Sequence, residues 1–197
     1  MPAVLVERLP ARRLPFWFVA TATGFFLALK LVLLLGGQVQ VDEAYYWLWG
    51  RHPQLSYVDH PALHAWVQGV VTGLFGTSAL SIRTLSVVTT GVTLWLLYDW
   101  CRRLAPADWR YAFALTVALF YSSPLMVFVT TMAIHDRLLL LLAMLAIHCF
   151  VLVGLAFAQD RRVALVPLYL GALCIGLAVL SKLMGVVVGL GIAAAIV

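Results

Sequence analysis

The sequence predicts an all-α membrane protein: a polytopic bundle of transmembrane helices, with two interfacial helices in its first outer loop. Composition is the first observation, because 64% of the 197 residues are hydrophobic and only 11% are charged. The second is a mean hydropathy of +1.02. The third is that apolar runs of about 20 residues, long enough to cross a hydrocarbon layer of about 30 Å, alternate with short polar stretches.

Six apolar runs are predicted as membrane spans, and a polar outer loop at residues 38–79 follows the first of them. The runs cover about residues 16–37, 80–104, 109–132, 138–158, 163–180 and 183–197. The last run stops at the chain end without a polar flank. We therefore expect residues 1–197 to be the N-terminal region of a longer protein whose C-terminal part is missing, and we expect this fragment alone to be inactive.

Basic residues predict the orientation, because Lys and Arg are retained on the cytoplasmic side of a membrane. A cytoplasmic N-terminus places most of the 13 basic residues in the cytoplasm. These are Arg8, Arg12, Arg13, Arg102, Arg103, Arg110, Arg161 and Arg162. The net charge of +5 is then a topology signal. No patch combines basic and aromatic residues, so we expect no nucleic-acid partner.

The outer loop begins with a predicted interfacial helix at residues 41–51, which carries Asp42 and Glu43 in its first turn. Acids suit the positive end of the helix dipole, so at least one of the two is expected to cap the helix. Adjacent helical residues point about 100° apart, and both carboxylates cannot easily serve one reacting atom. If one is catalytic, the other caps the helix, pairs with a base or holds a metal.

A second interfacial helix is predicted within residues 60–75, where Pro61 suits the first turn. Asp59 is then either the cap of this helix or a site residue, and the two interpretations are equally good. Asp136 begins a span and is a cap or a functional carboxylate, since ionisable residues at membrane depth usually face a cavity.

Two basic residues on the predicted outer side also have two interpretations each. Arg83 and Lys182 are each either a snorkelling anchor or an anion site. Lys30, inside the first run, is interpreted as a snorkelling residue, and His148 as a hydrogen-bonded interior histidine.

Motifs along the chain occur in a recognisable order. They are Asp42-Glu43, Tyr57-Val58-Asp59-His60-Pro61, Leu74-Phe75-Gly76, Arg83, His135-Asp136-Arg137 and Ser181-Lys182. This series resembles GT-C glycosyltransferases of the protein O-mannosyltransferase and aminoarabinose transferase type, from about Val41 to the chain end. The chain departs from the family pattern at His135 and Arg137, where members often have a small residue or proline on each side of the second acid.

The resemblance implies a membrane glycosyltransferase that moves a sugar, with inversion, from a polyprenyl-phosphate donor to a lipid, glycan or protein acceptor. Asp42 is implied as the general base or acceptor-orienting carboxylate, and Asp136 as a positioning group. The donor phosphate is expected to bind Lys182, Arg83 and His60, because negative charge develops on the leaving group. Glu43 and Asp59 are expected to support the site or to hold a divalent metal ion.

The expected location is the plasma membrane, which is the inner membrane in a bacterium, with the active site on the outer face. Residues 1–197 would form the N-terminal catalytic region. A different function is also open, that of a transporter or flippase-like carrier, because intramembrane charges line transport pathways too. A carrier should have broken helices and charges near the midplane, whereas the acids of this chain cluster outside the predicted spans. The sequence selects neither the sugar nor the acceptor.

Overall fold

The computed structural model describes residues 13–159 and 165–196, and all the regular secondary structure in this part of the chain is helical, without a β-strand. The helices are α1 (Phe16–Gly36), α2 (Val41–Arg51), α3 (Leu63–Phe75), α4 (Ala79–Ile82), α5 (Thr84–Leu104), α6 (Trp109–Ser122), α7 (Pro124–Thr131), α8 (His135–Ala158), α9 (Leu165–Ser181) and α10 (Gly185–Ile196). The predicted all-α class is confirmed, and α2 and α3 are the two helices expected in the outer loop.

Two of these helices, α1 and α8, are long and apolar enough to cross a membrane, and α6 with α7 meets the same test as a bent pair. The helices α3, α9 and α10 are apolar but shorter. The assignment of α5, α9 and α10 as spans stays a prediction. So does the orientation, for which four of the basic residues used, Arg8, Arg12, Arg161 and Arg162, lie outside the described residues.

The run at residues 109–132 forms two helices that meet at 85°. The break falls at Ser123, whose backbone is extended, and α7 begins with Pro124. Pro124 explains the break. Its ring disfavours the helical conformation at the preceding residue, and proline has no N–H group to continue the hydrogen bonds of a helix. After α7 the chain crosses to α8 through residues 132–134, a short non-helical segment that we call the strap.

Lys30 of α1 holds α7 in this bent position. It does not snorkel to the interface as expected, because its side chain is buried and its ammonium donates three hydrogen bonds to α7. The acceptors are the Thr130 carbonyl at 2.7 Å, the Thr130 hydroxyl at 2.9 Å and the Thr131 hydroxyl at 3.0 Å. A buried ammonium needs such partners, since an unsatisfied charge in apolar surroundings is costly.

Apolar side chains of α5, α6, α7 and α8 form the largest core cluster. Its buried members are Leu96, Leu97, Val117, Tyr121, Val127 and Met144. His148 of α8 accepts a hydrogen bond from the Trp100 indole at 3.0 Å, which confirms its interpretation as a bonded interior histidine. Arg13, just before α1, pairs with Asp108 of the α5–α6 turn at 2.7 Å. The start of α1 and this turn therefore lie at the same end of the bundle.

The two outer-loop helices pack closely because glycines face each other. A Cβ added at Gly50 of α2 would lie 2.8 Å from the backbone nitrogen of Gly69 in α3. Only a residue without a side chain allows the two backbones to approach this far. The close contact brings α2, with its two acids, onto the helix that carries His64 and Gln68.

Candidate functional site

Glu43 and Arg83 form a buried ion pair at the end of the bundle that carries the outer loop. Both side chains have no exposed surface. The guanidinium donates from Nε to Oε1 of Glu43 at 2.8 Å and from Nη2 to Oε2 at 2.6 Å. This is the two-point geometry that makes arginine–carboxylate pairs strong and directional.

The pair also ties together several separate segments. Glu43 accepts from the Gln40 backbone N–H at 2.9 Å, within a capping box, and from the Ala133 N–H of the strap at 2.7 Å. The remaining donors of Arg83 reach carbonyls after α1, with distances of 2.8 Å to Gly37 and 2.7 Å to Gln38. Burial raises the pKa of Glu43, but the hydrogen bonds from Arg83 and these backbone N–H groups outweigh it and hold the pKa below its usual range.

These contacts decide how the two acids of α2 differ. The expectation that one of them caps the helix is confirmed, and that residue is Glu43. Arg83 has its N–H groups committed to protein acceptors deep in the fold, which gives it a structural role in place of the phosphate-binding role expected from the sequence.

Asp136 and Lys182 form a second ion pair, and this one is accessible. Lys182 follows α9, and its ammonium lies 2.6 Å from Oδ1 of Asp136, in the first turn of α8. The side chain of Lys182 is 25% exposed and that of Asp136 is 30% exposed. A ligand that reaches this end of the bundle can therefore contact both charges, in contrast to the enclosed Glu43–Arg83 pair.

Two imidazoles lie beside this accessible pair. The Nε2 atom of His135 lies 3.0 Å from Oδ2 of Asp136, the oxygen that Lys182 does not contact. Its ring is tilted 34° against that of His60, with 3.9 Å between ring centroids. Burial and the positive charges of His135 and Lys182 lower the pKa of His60. Of the predicted phosphate ligands, His60 and Lys182 are thus brought together.

Tyr46 of α2 is the centre around which these groups are arranged. Its ring contacts those of His135, His64 and His60 at centroid distances of 5.1, 5.4 and 6.0 Å. Burial, followed by the negative charges of Asp42, Asp136 and Asp59, raises the pKa of Tyr46 to about 12. Those three acids therefore all influence the same buried phenol.

Asp42 lies at the edge of this group and is exposed. It borders a cleft of about 150 Å³ together with residues of α7 and the strap, among them Phe128 and Met132. The same two residues line an apolar cavity of about 480 Å³ at the α6–α7 break. The cleft at Asp42 and the apolar cavity therefore share part of their walls.

Asp59 does not cap α3, which was one of its two interpretations. The N-cap of α3 is Ala62, without a side-chain hydrogen bond, and Pro61 lies before the helix in a bridge with Ser56. Asp59 is exposed and accepts a hydrogen bond from the Tyr45 hydroxyl at 3.1 Å. The α3 helix begins later than expected because this tight turn precedes it.

The expected metal ligands do not fit a metal ion in this arrangement. Both oxygens of Glu43 are occupied by Arg83 and backbone N–H groups, and Asp59 is turned toward Tyr45. Within residues 13–159 and 165–196, no three His, Cys, Asp or Glu side chains are grouped so that they could hold a metal.

A buried polar group behind the site was missed by the sequence reasoning. Arg137, without exposed surface, donates to the Ser86 hydroxyl at 2.7 Å and to the Gln68 amide oxygen at 2.6 Å. Burial, with the positive charge of Arg137, lowers the pKa of neighbouring His64 well below its usual range. The four-residue spacing of His64 and Gln68 was a usable signal, because it puts two polar side chains on one face of an apolar helix.

A protein-family model described as dolichyl-phosphate-mannose-protein mannosyltransferase matches residues 59–197. The match covers more than half of the chain. It includes Asp59, His60, Asp136 and Lys182. No curated protein and no solved structure matches the chain.

Proposed function

The chain belongs to the dolichyl-phosphate-mannose-protein mannosyltransferase family, a family of membrane glycosyltransferases, and from this membership we propose a specific reaction. The protein transfers a sugar from a polyprenyl-phosphate donor to an acceptor hydroxyl at the outer face of the membrane, with inversion. The membership confirms the resemblance drawn from the loop motifs. The acceptor is a lipid, a glycan or a protein.

The observation that carries the proposal is the accessible Asp136–Lys182 pair, 2.6 Å apart, with His60 beside it. A donor phosphate needs a cation that it can reach, and Lys182 meets this condition. As the sugar leaves, negative charge grows on the phosphate oxygen, so a cation there stabilises the transition state more than the ground state. Asp136 holds the ammonium in place, and His60 provides a second contact to the phosphate.

Asp42 is the proposed general base. The acceptor oxygen forms a bond to the anomeric carbon while the bond from that carbon to the phosphate oxygen breaks. The electron pair of the broken bond stays on the phosphate, and the hydroxyl proton moves to the Asp42 carboxylate. A single displacement of this kind inverts the anomeric configuration. The exposed position of Asp42 at a cleft supports this role, because Glu43 has no free oxygen.

The function is tested by supplying the protein in membrane vesicles with a polyprenyl-phosphate donor whose sugar is radiolabelled. We expect the label to move to a membrane or protein acceptor. A carrier, the second candidate, is favoured by the 85° break between α6 and α7. It would instead move the intact labelled donor across the bilayer, so recovery of the label only as unchanged donor inside the vesicles contradicts the proposal.

Lys182→Ala is expected to weaken donor binding by about tenfold or more, because a charge-assisted contact to the phosphate contributes about 1.5–3 kcal/mol. Lys182→Arg keeps the charge and should retain most of the affinity. Arg51→Ala is the matched control, since Arg51 is an exposed cation at the end of α2. Binding of a polyprenyl phosphodiester to the purified variants measures the effect. Equal affinity for the wild type and Lys182→Ala removes Lys182 from the site.

A further inference from the structure

Four of the described arginines lie at the end of the bundle opposite the outer loop, near the start of α1 and the α5–α6 turn. They are Arg13, Arg102, Arg103 and Arg110. Arg13 pairs with Asp108 at 2.7 Å. Arg103 pairs with Asp99, which lies one turn earlier in α5. Within residues 13–159 and 165–196, the other two arginines have no carboxylate at ion-pair distance, so two positive charges are left in excess.

Arg102 and Arg110 share an aromatic partner, the indole of Trp109. The guanidinium carbon lies 6.0 Å from the centroid of this ring in Arg102 and 5.4 Å from it in Arg110. Arg102 also donates a hydrogen bond to the Tyr98 hydroxyl at 3.1 Å, and the Tyr98 ring meets Trp109 edge-on. Aromatic rings attract a guanidinium without neutralising its charge. Each guanidinium has five N–H donors, so both arginines can still donate to an anion.

A pocket of about 510 Å³ lies beside Trp109 and Arg110. Phe16, at the start of α1, and Asp108 also line it. The Asp108 carboxylate would repel an anion, but Arg13 neutralises it. Phe16 is exposed, and the exposed apolar surface of α1 begins there. The pocket therefore joins a positively charged rim to an apolar helix face.

A phospholipid with an anionic headgroup has the chemistry that this surface fits. Its phosphate accepts hydrogen bonds from arginine, whose planar N–H groups match phosphate oxygens. Its acyl chains need an apolar surface next to the charges, and basic pockets between membrane helices bind such headgroups. An arginine that only sets the topology needs its charge alone. Two arginines that contact one indole beside a pocket have, in addition, a fixed arrangement.

We propose that Arg102, Trp109 and Arg110 form a binding site for the headgroup of one anionic phospholipid, whose acyl chains lie along α1. The bound lipid contacts both the α5–α6 turn and the start of α1, and so holds these two segments together. On the orientation expected from the basic residues, it belongs to the cytoplasmic leaflet. The site lies at the opposite end of the bundle from Asp136 and Lys182 and does not depend on the proposed reaction.

The test is native mass spectrometry of the protein in detergent micelles, titrated with phosphatidylglycerol or with phosphatidylcholine of the same acyl chains. The first lipid has one net negative charge and the second has none. We expect one phosphatidylglycerol to bind about 25-fold more tightly than phosphatidylcholine, from about fivefold for each of two basic residues near an anionic lipid. Inorganic phosphate at the same concentration should not displace the lipid, because it has no acyl chains.

Substitutions separate a built site from a general attraction between charges. Arg102→Gln and Arg110→Gln should each weaken phosphatidylglycerol binding by about fivefold, and the double variant by about 25-fold. Arg103→Gln is the matched control, because it removes the same charge from the same turn of α5, but from a guanidinium that already binds Asp99. Its affinity should stay within about twofold of the wild type. Trp109→Leu keeps every charge and should weaken binding by about twofold to fivefold.

Three results would overturn the site. Equal affinity for the two lipids removes the headgroup contact. Equal losses in Arg102→Gln and Arg103→Gln, with none in Trp109→Leu, indicate attraction to the surface charge alone. Displacement of the lipid by inorganic phosphate indicates a site for a free anion. Gel filtration establishes that each variant folds. If a glutamine variant aggregates, the lysine variant at the same position replaces it and should still bind phosphatidylglycerol more weakly than the wild type, because an ammonium has no planar N–H fork.

Discussion

Asp42→Asn is expected to lower sugar transfer by about 10²–10⁴-fold, the usual contribution of a positioned general base. An amide of the same shape cannot accept the proton of the acceptor hydroxyl. Because Asp42 is exposed and Glu43 caps the helix in its place, the substitution should leave folding unchanged. Single-turnover transfer from a labelled polyprenyl-phosphate donor, with the intact protein in membranes, measures the loss. Donor binding should be retained, since the phosphate contacts lie at Lys182.

Asp108→Asn is the matched control for this substitution. Asp108 is also an exposed aspartate, but it pairs with Arg13 at the other end of the bundle. The variant should transfer sugar at the wild-type rate. Near-normal turnover of Asp42→Asn would remove Asp42 as the base, and an equal loss in both variants would indicate damage to the fold instead.

Arg83→Met is expected to destabilise the protein by about 3–5 kcal/mol, the cost of removing one partner of a buried ion pair and leaving the other charge uncompensated. Methionine has no N–H group to donate to Glu43 or to the carbonyls of Gly37 and Gln38. Chemical denaturation in detergent micelles measures the effect. Transfer activity should fall as well, because Glu43 no longer fixes the strap through Ala133.

A double-mutant cycle separates the pair from its surroundings. Removing both charges, as in Glu43→Gln with Arg83→Met, should cost less than the sum of the single changes, because no charge is then left unpaired. The exposed Arg13–Asp108 pair provides the comparison, and Arg13→Ala should leave the unfolding midpoint nearly unchanged. If the free-energy costs of the two single changes simply add up to that of the double change, Glu43 and Arg83 do not stabilise the fold as a coupled ion pair.

Helix positions in the outer loop could be predicted well from the sequence. The α2 helix spans the predicted residues 41–51, since acids in its first turn and helical spacing of aromatic residues are local signals. The start of α3 was predicted too early, because the turn that delays it depends on a bridge from Ser56 to Pro61. The break at Pro124 has a local cause as well, but apolar content alone made residues 109–132 look continuous.

Partners across long sequence distances could not be predicted. Glu43 and Arg83 are 40 residues apart, and nothing in the local sequence distinguishes a buried, ion-paired arginine from a phosphate ligand. Lys182 and Asp136 are 46 residues apart, and only the packing of α8 against α9 makes them neighbours. The His60–His135 contact likewise depends on how the outer loop folds over the start of α8. Residue types were visible in the sequence, whereas their pairing was a property of the tertiary structure.

The hydrogen bonds from Lys30 to α7 join two segments that are synthesised far apart in time. Arg83, Arg137 and Lys182 each meet acceptors in segments that are synthesised before them. Lys30 is different, because Thr130 and Thr131 follow it by 100 and 101 residues. Domains form from the N-terminus during synthesis, so α1 carries an unpaired ammonium until α7 arrives. The buried charge of α1 therefore gains its hydrogen-bond acceptors only after α7, the second half of the third predicted span, has been synthesised.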